Sequence, residues 1–403
     1  METLYLATLL RRSLNRVKLE AYTALLKSAT RLAGARRPLA PAAEFHHQPN
    51  SERLWNESYY FNFFDSNKEI AGWTRIGKMP NQNSVIGVFF LYQGHRTIYM
   101  LSQNDYLAAN TDEIISGGSS GKGSRPLHDA GAKALFNAET GILNNVGAGV
   151  MRYEIIEPLN RLRIVASGQM IRVENPRVLL DFGVFMQKIS DKDFVSVDVD
   201  LTFSGLGPVY NFKNIYARGF ATRMIEKSFT LMDMKKIAQL SSQHYEQTGA
   251  YHGSIKIGEK EVAVQGTGQR DHSWGLRDYK GPEYWRWLTM QFGSDLAVVL
   301  NQGKIGRVDI FTGYIARQGR HYPFRRGNIE TKFEQDGLTQ KYIRFQVEDI
   351  TGFKMEVEGQ VINPVPLTIA DENSKILINE ALTEYRWQGR SARGISEYGC
   401  QIH

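Results

Sequence analysis

Gln265-Gly266-Thr267-Gly268-Gln269-Arg270-Asp271-His272-Ser273-Trp274-Gly275-Leu276-Arg277-Asp278-Tyr279 is the stretch whose reading decides the fold. It packs two carboxylates, two guanidinium groups, an imidazole and an indole between glycines, and Tyr284, Trp285 and Trp287 follow closely. Glycines beside a short polar-aromatic run indicate a strand whose backbone is bulged or closely approached, which re-aims side chains towards a cavity. The plainer reading of the same residue types is a buried ion pair bracing a barrel corner.

Outward from this stretch the chain reads as strands and turns. Trp55 to Asp65 and Ile70 to Gly77 flank Ser66-Asn67-Lys68, and Ser84 to Tyr92 and Thr97 to Leu101 flank Gln93-Gly94-His95-Arg96. Two such hairpins in succession make an antiparallel meander. Strand patterns recur at Met151 to Ile156, Arg161 to Val165, Met170 to Val173 and Phe194 to Phe203, where Val195 to Phe203 alternates almost perfectly. A short helix is expected at Met232 to Leu240. Beyond the central stretch come Leu296 to Asn301, Lys304 to Tyr314, Lys341 to Val347, Lys354 to Val361 and the closing Ala381 to Gln388. With 19 Tyr, 20 Phe and 37 Gly against 12 Pro, the mixture suits many strands with tight turns. A chain of 403 residues can bury a large core, and about 150 residues per domain gives two or three domains. The expectation is an all-β protein with two mainly antiparallel domains, a β-sandwich or barrel followed by a second barrel. Residues 1–43 are a helix and linker, 44–225 the first domain and 226–403 the second.

The net charge of +7 is concentrated at one end. Residues 1 to 37 hold eight basic residues against Glu2 and Glu20, a net of +6, which leaves +1 for the rest. A body without its own basic surplus is a poor candidate for tracking phosphates, so nucleic acid is not an expected partner. Residues 3–33 read as one helix with Leu6, Leu9, Leu10, Leu14, Val17, Leu25, Leu26 and Leu32 interleaved with basic positions. Three readings stay open: peripheral contact with an anionic membrane, a transit-like extension, and a helix packed on the domain. The single Cys400 cannot form an intrachain disulfide, and no run of about 18 apolar residues spans a membrane. A cytoplasmic setting is expected, with peripheral membrane or organellar variants left open. The sequence does not define an oligomeric state.

Several chemistries are not expected. The nine histidines include no His-x-x-x-His pair enclosing a glutamate, and one cysteine builds no thiolate site, so no metal is expected. Residues 116–126 contain Gly121-Lys122 but lack the first glycine and the following Ser or Thr of a phosphate loop. Neither a Gly-x-Ser-x-Gly elbow nor a dinucleotide-binding turn is present, and no cofactor is expected.

Arg270-Asp271-His272-Ser273-Trp274-Gly275 resembles the Asp-His-Asn-Trp-Gly signature of the AttH and hydroxyneurosporene synthase (carotenoid 1,2-hydratase) superfamily, whose members are lipocalin-like β-proteins. Trp55-Asn56-Glu57-Ser58, Arg75-Ile76-Gly77 and Pro80-Asn81 resemble the companion domain of its two-domain members. One departure is Ser273 where asparagine is usual. The resemblance implies a lipocalin-like second domain and an apolar ligand, often polyprenyl or polyketide, held in a barrel or between domains. It also implies hydration, cyclisation or pericyclic closure without a redox cofactor, with Asp271 in the place of the acid and Trp274 lining the site.

Residue chemistry fits that implication. Protonating an alkene needs a carboxyl that burial keeps neutral, and the carbocation that follows is stabilised by aromatic faces. Asp271, His272 and Trp274 are the catalytic candidates. Trp55, Glu57, Tyr59, His244, Glu246, Arg270, Arg277, Tyr284, Trp285 and Trp287 are the candidates for lining the site. Two alternatives stand beside this: Arg270 and Arg277 pair with Asp271 and lower its pKa, and regular alternation turns Asp271 and Trp274 to opposite sides. The functional expectation is a cofactor-independent hydratase, cyclase or isomerase acting on an isoprenoid-like substrate. The alternative is a non-catalytic lipid or isoprenoid carrier of the same fold.

Overall fold

The computed structural model describes residues 2–32, 38–106, 115–116, 148–212, 217–226, 229–230, 233, 243–279, 281–371 and 374–402. Of the glycine-rich segment only Ser116, and of the helix expected at Met232 to Leu240 only Asp233, fall among them.

The first hairpins form as the sequence indicates: β1 (Trp55–Asp65), β2 (Ile70–Met79), β3 (Ser84–Gln93) and β4 (Thr97–Tyr106) are an antiparallel meander. The sheet continues through β5 (Ile115–Ser116), β6 (Ala148–Glu157), β7 (Arg161–Val173), β8 (Phe194–Gly205), β9 (Tyr210–Asn211), β10 (Gln243–Ile257) and β11 (Lys260–Leu276). Strand β11 pairs with β1, and β4 pairs with β7 at Ile98 to Met100, so that eight of these strands close into a barrel. A second closed, antiparallel barrel contains β12 (Tyr284–Gln291), β13 (Leu296–Ile305), β14 (Val308–Arg317), β15 (Arg320–Phe333), β16 (Gln340–Asp349), β17 (Lys354–Asp371), β18 (Ser374–Trp387) and β19 (Arg390–Ile402). The run read as one strand at Lys304 to Tyr314 is a hairpin turning at Gly306, whose φ of +57° suits glycine. Strand β19, after the expected closing strand, completes the barrel against β12.

The domain division differs from expectation. Strands β10 and β11 belong to the first barrel because their hydrogen-bond partners are β8 and β1, so the barrels part between Leu276 and Tyr284 rather than at 225. The central stretch is therefore the last strand of the first barrel.

Three apolar cores form within and between the barrels. Tyr59, Phe61, Phe63, Leu162, Leu201, Phe203 and Tyr251 fill the first barrel, and Leu288, Met290, Val298, Phe345 and Tyr385 fill the second. The third core lies between the barrels, where Tyr60, Phe64, Trp73 and Tyr92 of the first meet Trp287, Val299, Tyr314 and Leu382 of the second. Strand β1 is buried at every position because its two faces serve two cores.

Helix α1 (Glu2–Leu32) packs through Leu19, Tyr22 and Leu26 on Ala221 and Met224 of a helix at Ala217–Glu226, while Leu14, Val17 and Leu25 stay exposed. Among the described residues no helix is long and apolar enough to cross a membrane.

Candidate functional site

Strand β11 keeps register with both neighbours through the motif, so its side chains alternate strictly. Arg270, His272 and Trp274 point into the first barrel with Tyr59 and Tyr245, and Gln269, Asp271 and Ser273 point into the space between barrels with Tyr60 and Glu246. No bulge brings Asp271 together with His272 and Trp274, contrary to the shared cavity expected of the three. At Gly268 a Cβ would lie 1.9 Å from the Asn62 carbonyl oxygen, which requires glycine where β11 crosses β1.

On the barrel side the charges are paired. A segment before β1 carries the 3-10 turn Pro41–Glu44 to the barrel, and Glu44 is wholly buried there. Arg270 Nη1 donates to both its carboxylate oxygens at 2.7 and 2.9 Å, Arg270 Nε donates to Gln247, and the Leu159 N–H donates to Glu44 Oε2 at 2.6 Å. Burial raises the Glu44 carboxyl, but Arg270 draws it below the usual range. Arg270 thus serves Glu44, not Asp271. Glu57 accepts from His272 Nε2 at 3.1 Å and His47 Nδ1 at 2.8 Å, and these imidazoles with His46 overcome burial to hold it far below the carboxylate range. Burial depresses His272 itself. Its ring stacks on Tyr59 at 3.8 Å, and Trp274 stacks on His47 at 3.7 Å. Glu57, expected to line the same site as Asp271, lies in the same barrel as His272 and on the opposite face from Asp271. Trp55 is buried where β1 pairs with Leu276.

On the other side Asp271, His244 and Glu246 come together. His244 Nε2 lies against Asp271 Oδ2 and 3.5 Å from Glu246 Oε1. Phe212 stacks on His244 at 4.2 Å. Glu246 has no solvent exposure and accepts from Trp287 Nε1 at 2.9 Å, Gln269 Nε2 at 3.1 Å and Tyr314 at 3.3 Å. Burial, reinforced by the Asp271 charge, still pushes its carboxyl up to about 8. Burial also raises Asp271, but His244 by charge and hydrogen bond, with Arg277, brings it below its ordinary value. The same pairing raises His244 despite burial. Asp271 is therefore a carboxylate beside an imidazolium, and the neutral carboxyl expected at 271 is found at 246. The side chains of His244 and Asp271 keep 19% and 13% exposure, which places them at the rim and Glu246 behind them.

The second barrel adds another acid pair. Glu380 and Glu397 face each other across β18 and β19, Trp285 Nε1 donates to Glu397, and burial with mutual repulsion holds Glu380 well above the carboxylate range. Arg75 and Arg277 lower the Tyr279 hydroxyl against its burial. Tyr284 turns away from this interface, with the Arg286 guanidinium 5.3 Å from its ring.

Asp271, His244, Glu246, Trp285, Trp287 and Arg277 thus gather at the interface, whereas His272, Trp274, Glu57, Tyr59 and Arg270 belong to the first barrel. Sequence reasoning missed Glu44, Gln269, Tyr314, Glu380 and Glu397. The signal available for Glu380 was a lone charge inside the apolar run Ile376 to Leu382. Among the described residues two groups could hold a metal ion, His47 with Glu57 and His272, and His244 with Glu246 and Asp271. The open hollow of about 620 Å³ lined by Arg326, Met355 and Trp387 lies on the second barrel, away from both.

This geometry defines a two-barrel protein with a polar, carboxyl-rich cluster set in an apolar inter-barrel core. The chain belongs to the family described as Domain of unknown function (DUF7064), whose model matches residues 40–402. Similar solved structures include an AttH-type protein from Nitrosomonas europaea, at 10% identity and a TM-score of 0.49, covering 90% of this chain and 98% of the other. CghA follows at 11% identity and a TM-score of 0.45, covering 90% and 95%. Kievitone hydratase from Nectria haematococca is similar at 9% identity and a TM-score of 0.44, covering 92% and 94%. At these identities the likeness concerns the path of the chain. No curated protein matches the sequence.

Proposed function

We propose that the chain is a cofactor-independent hydratase or isomerase that moves protons on an apolar, isoprenoid-like alkene at the rim between the barrels. The observation that carries this reading is the wholly buried Glu246 carboxyl, 3.5 Å from the nitrogen that also meets Asp271, where burial raises its pKa to about 8. A donor whose pKa lies near working pH is matched to general acid and base catalysis, and it is too weak to protonate an isolated alkene. The substrate class is therefore a conjugated or otherwise activated double bond.

In hydration, His244 at the rim gives its Nε2 proton to one alkene carbon and is reprotonated by Glu246 behind it, while Asp271 takes a proton from the water that attacks the other carbon. The proton on Asp271 then returns through His244 to Glu246, which restores all three groups. Trp285, Trp287 and Tyr60 supply the aromatic surroundings in which a developing cation is stabilised. The exposed Leu14, Val17 and Leu25 of α1, among basic residues, support delivery of such a substrate from an anionic lipid surface.

Filled barrel interiors favour a second reading, in which the charged clusters only brace the barrels and any lipid is carried between them. Glu246→Gln and Asp271→Asn, assayed on conjugated polyprenyl alkenes, separate the two. Each variant is expected to lose about 10²- to 10⁴-fold in turnover, and wild-type turnover to fall above pH 8. Full turnover in both folded variants sinks the acid role.

A further inference from the structure

We propose that His47, Glu57 and His272 bind one divalent transition cation of the zinc class at the mouth of the first barrel. This is independent of the inter-barrel chemistry, since these side chains lie on the opposite face of β11 from Asp271. Sequence spacing conceals the set, because its members come from the segment before β1, from β1 and from β11.

Their geometry is close to that of a bound ion. His47 Nδ1 and His272 Nε2 approach the same Glu57 oxygen, Oε1, at 2.8 and 3.1 Å, and all three donor atoms lie within 4.8 Å of one another. Around zinc, with ligand bonds of about 2.0–2.2 Å, tetrahedral donors stand roughly 3.3 Å apart, so the two imidazole nitrogens withdraw from Glu57 Oε1 by a few tenths of an ångström and, being within 4.8 Å of each other, close towards that spacing around the ion. Two neutral imidazoles and one carboxylate suit a borderline cation, and they leave one of its two positive charges to be met by hydroxide or another anion in the fourth position.

The surroundings are those of a held ligand set. The other nitrogen of His272 meets the Tyr245 hydroxyl at 3.1 Å, and that hydroxyl donates to Glu44, which Arg270 fixes. An outer hydrogen bond of this kind sets the orientation of a metal-binding imidazole. Tyr59 and Trp274 clamp the rings of His272 and His47 by stacking. Glu57 and His272 are buried while His47 retains 24% side-chain exposure, which leaves the fourth position on the solvent side. His46 Nδ1 meets the other Glu57 oxygen, Oε2, at 3.5 Å and its ring is engaged by Lys78 Nζ at 2.6 Å, so His46 braces Glu57 from outside the set.

The role that follows is structural. A cation here ties the segment carrying Glu44 to β1 and β11, the two strands whose pairing closes the barrel.

The test uses the full-length chain, stripped with chelator and titrated with zinc and with cobalt(II) as the visible probe. One ion per chain, a cobalt ligand-field band and a rise in melting temperature are expected. Loss of an outer partner costs about 10- to 100-fold in affinity, so Tyr245→Phe should weaken binding within that range, and His47→Ala and Glu57→Gln by about 100-fold or more. His47 is partly exposed, so its variant should remain folded even where Glu57→Gln does not. His244→Ala should leave the stoichiometry unchanged. Absence of stoichiometric binding by the wild type, unchanged affinity in folded His47→Ala, or loss of the ion in His244→Ala would each overturn the assignment.

Discussion

The two faces of β11 share one backbone and similar residue types, yet they hold charge differently. On the barrel face Glu44 meets a guanidinium and Glu57 meets imidazoles, and both are kept ionised. On the inter-barrel face Glu246 accepts from three neutral donors, its one nearby cation, His244 at 3.5 Å, is also held by Asp271, and burial raises its carboxyl to about 8. Burial alone does not decide protonation, since all three carboxyls are buried. What decides it is whether the nearby cation is free to serve that carboxyl: Arg270 serves Glu44 alone, whereas His244, 3.5 Å from Glu246, is shared with Asp271, whose own charge works against a second carboxylate.

The strongest challenge to this contrast is to break one pair on each face. Glu44→Gln leaves Arg270 buried beside a neutral amide and is expected to cost about 3–5 kcal/mol in denaturant unfolding, whereas Asp271→Asn, at the rim, should cost about 1.5–3 kcal/mol. Equal losses would mean that the faces do not differ in the way described. Of comparable size is a pH effect. Glu246 has a folded value raised to about 8 against an ordinary 4.5, so its contribution to stability is fully present below the lower value and is lost as pH rises to the upper one. The wild type should lose about 1.4 kcal/mol per pH unit relative to Glu246→Gln across that window. Parallel unfolding curves from pH 5 to 8 would contradict the raised value. The smallest effect is expected far from both faces, where Leu26→Ala in α1 should cost about 2 kcal/mol and expose the amides of α1 to hydrogen exchange first.

Much of the fold was legible because each hairpin is local: the aromatic runs about Ser66-Asn67-Lys68 and Gly94 announce their own turns. The domain boundary was not, because β11 is assigned to a barrel by its pairing with β1 some 200 residues earlier, and alternation carries no record of the partner. The site was half legible. His244, Glu246, Asp271, Trp285 and Trp287 stood out as chemistry-bearing types, but their division from His272 and Trp274 depends on a strand running unbulged, and the glycines suggested otherwise. Glu44, one residue inside the body, gave no sign that it would be drawn into a barrel by Arg270.

The pairing of β1 with β11 also sets a timetable for synthesis. At about 5–20 residues per second, roughly 10–40 s separate the emergence of Asp65 from that of Leu276. Throughout that interval one edge of an aromatic strand waits without its final partner, and an unpaired edge of this kind invites pairing with another chain. The opening third of the polypeptide therefore depends on whatever shields it in the cell until its seam can close.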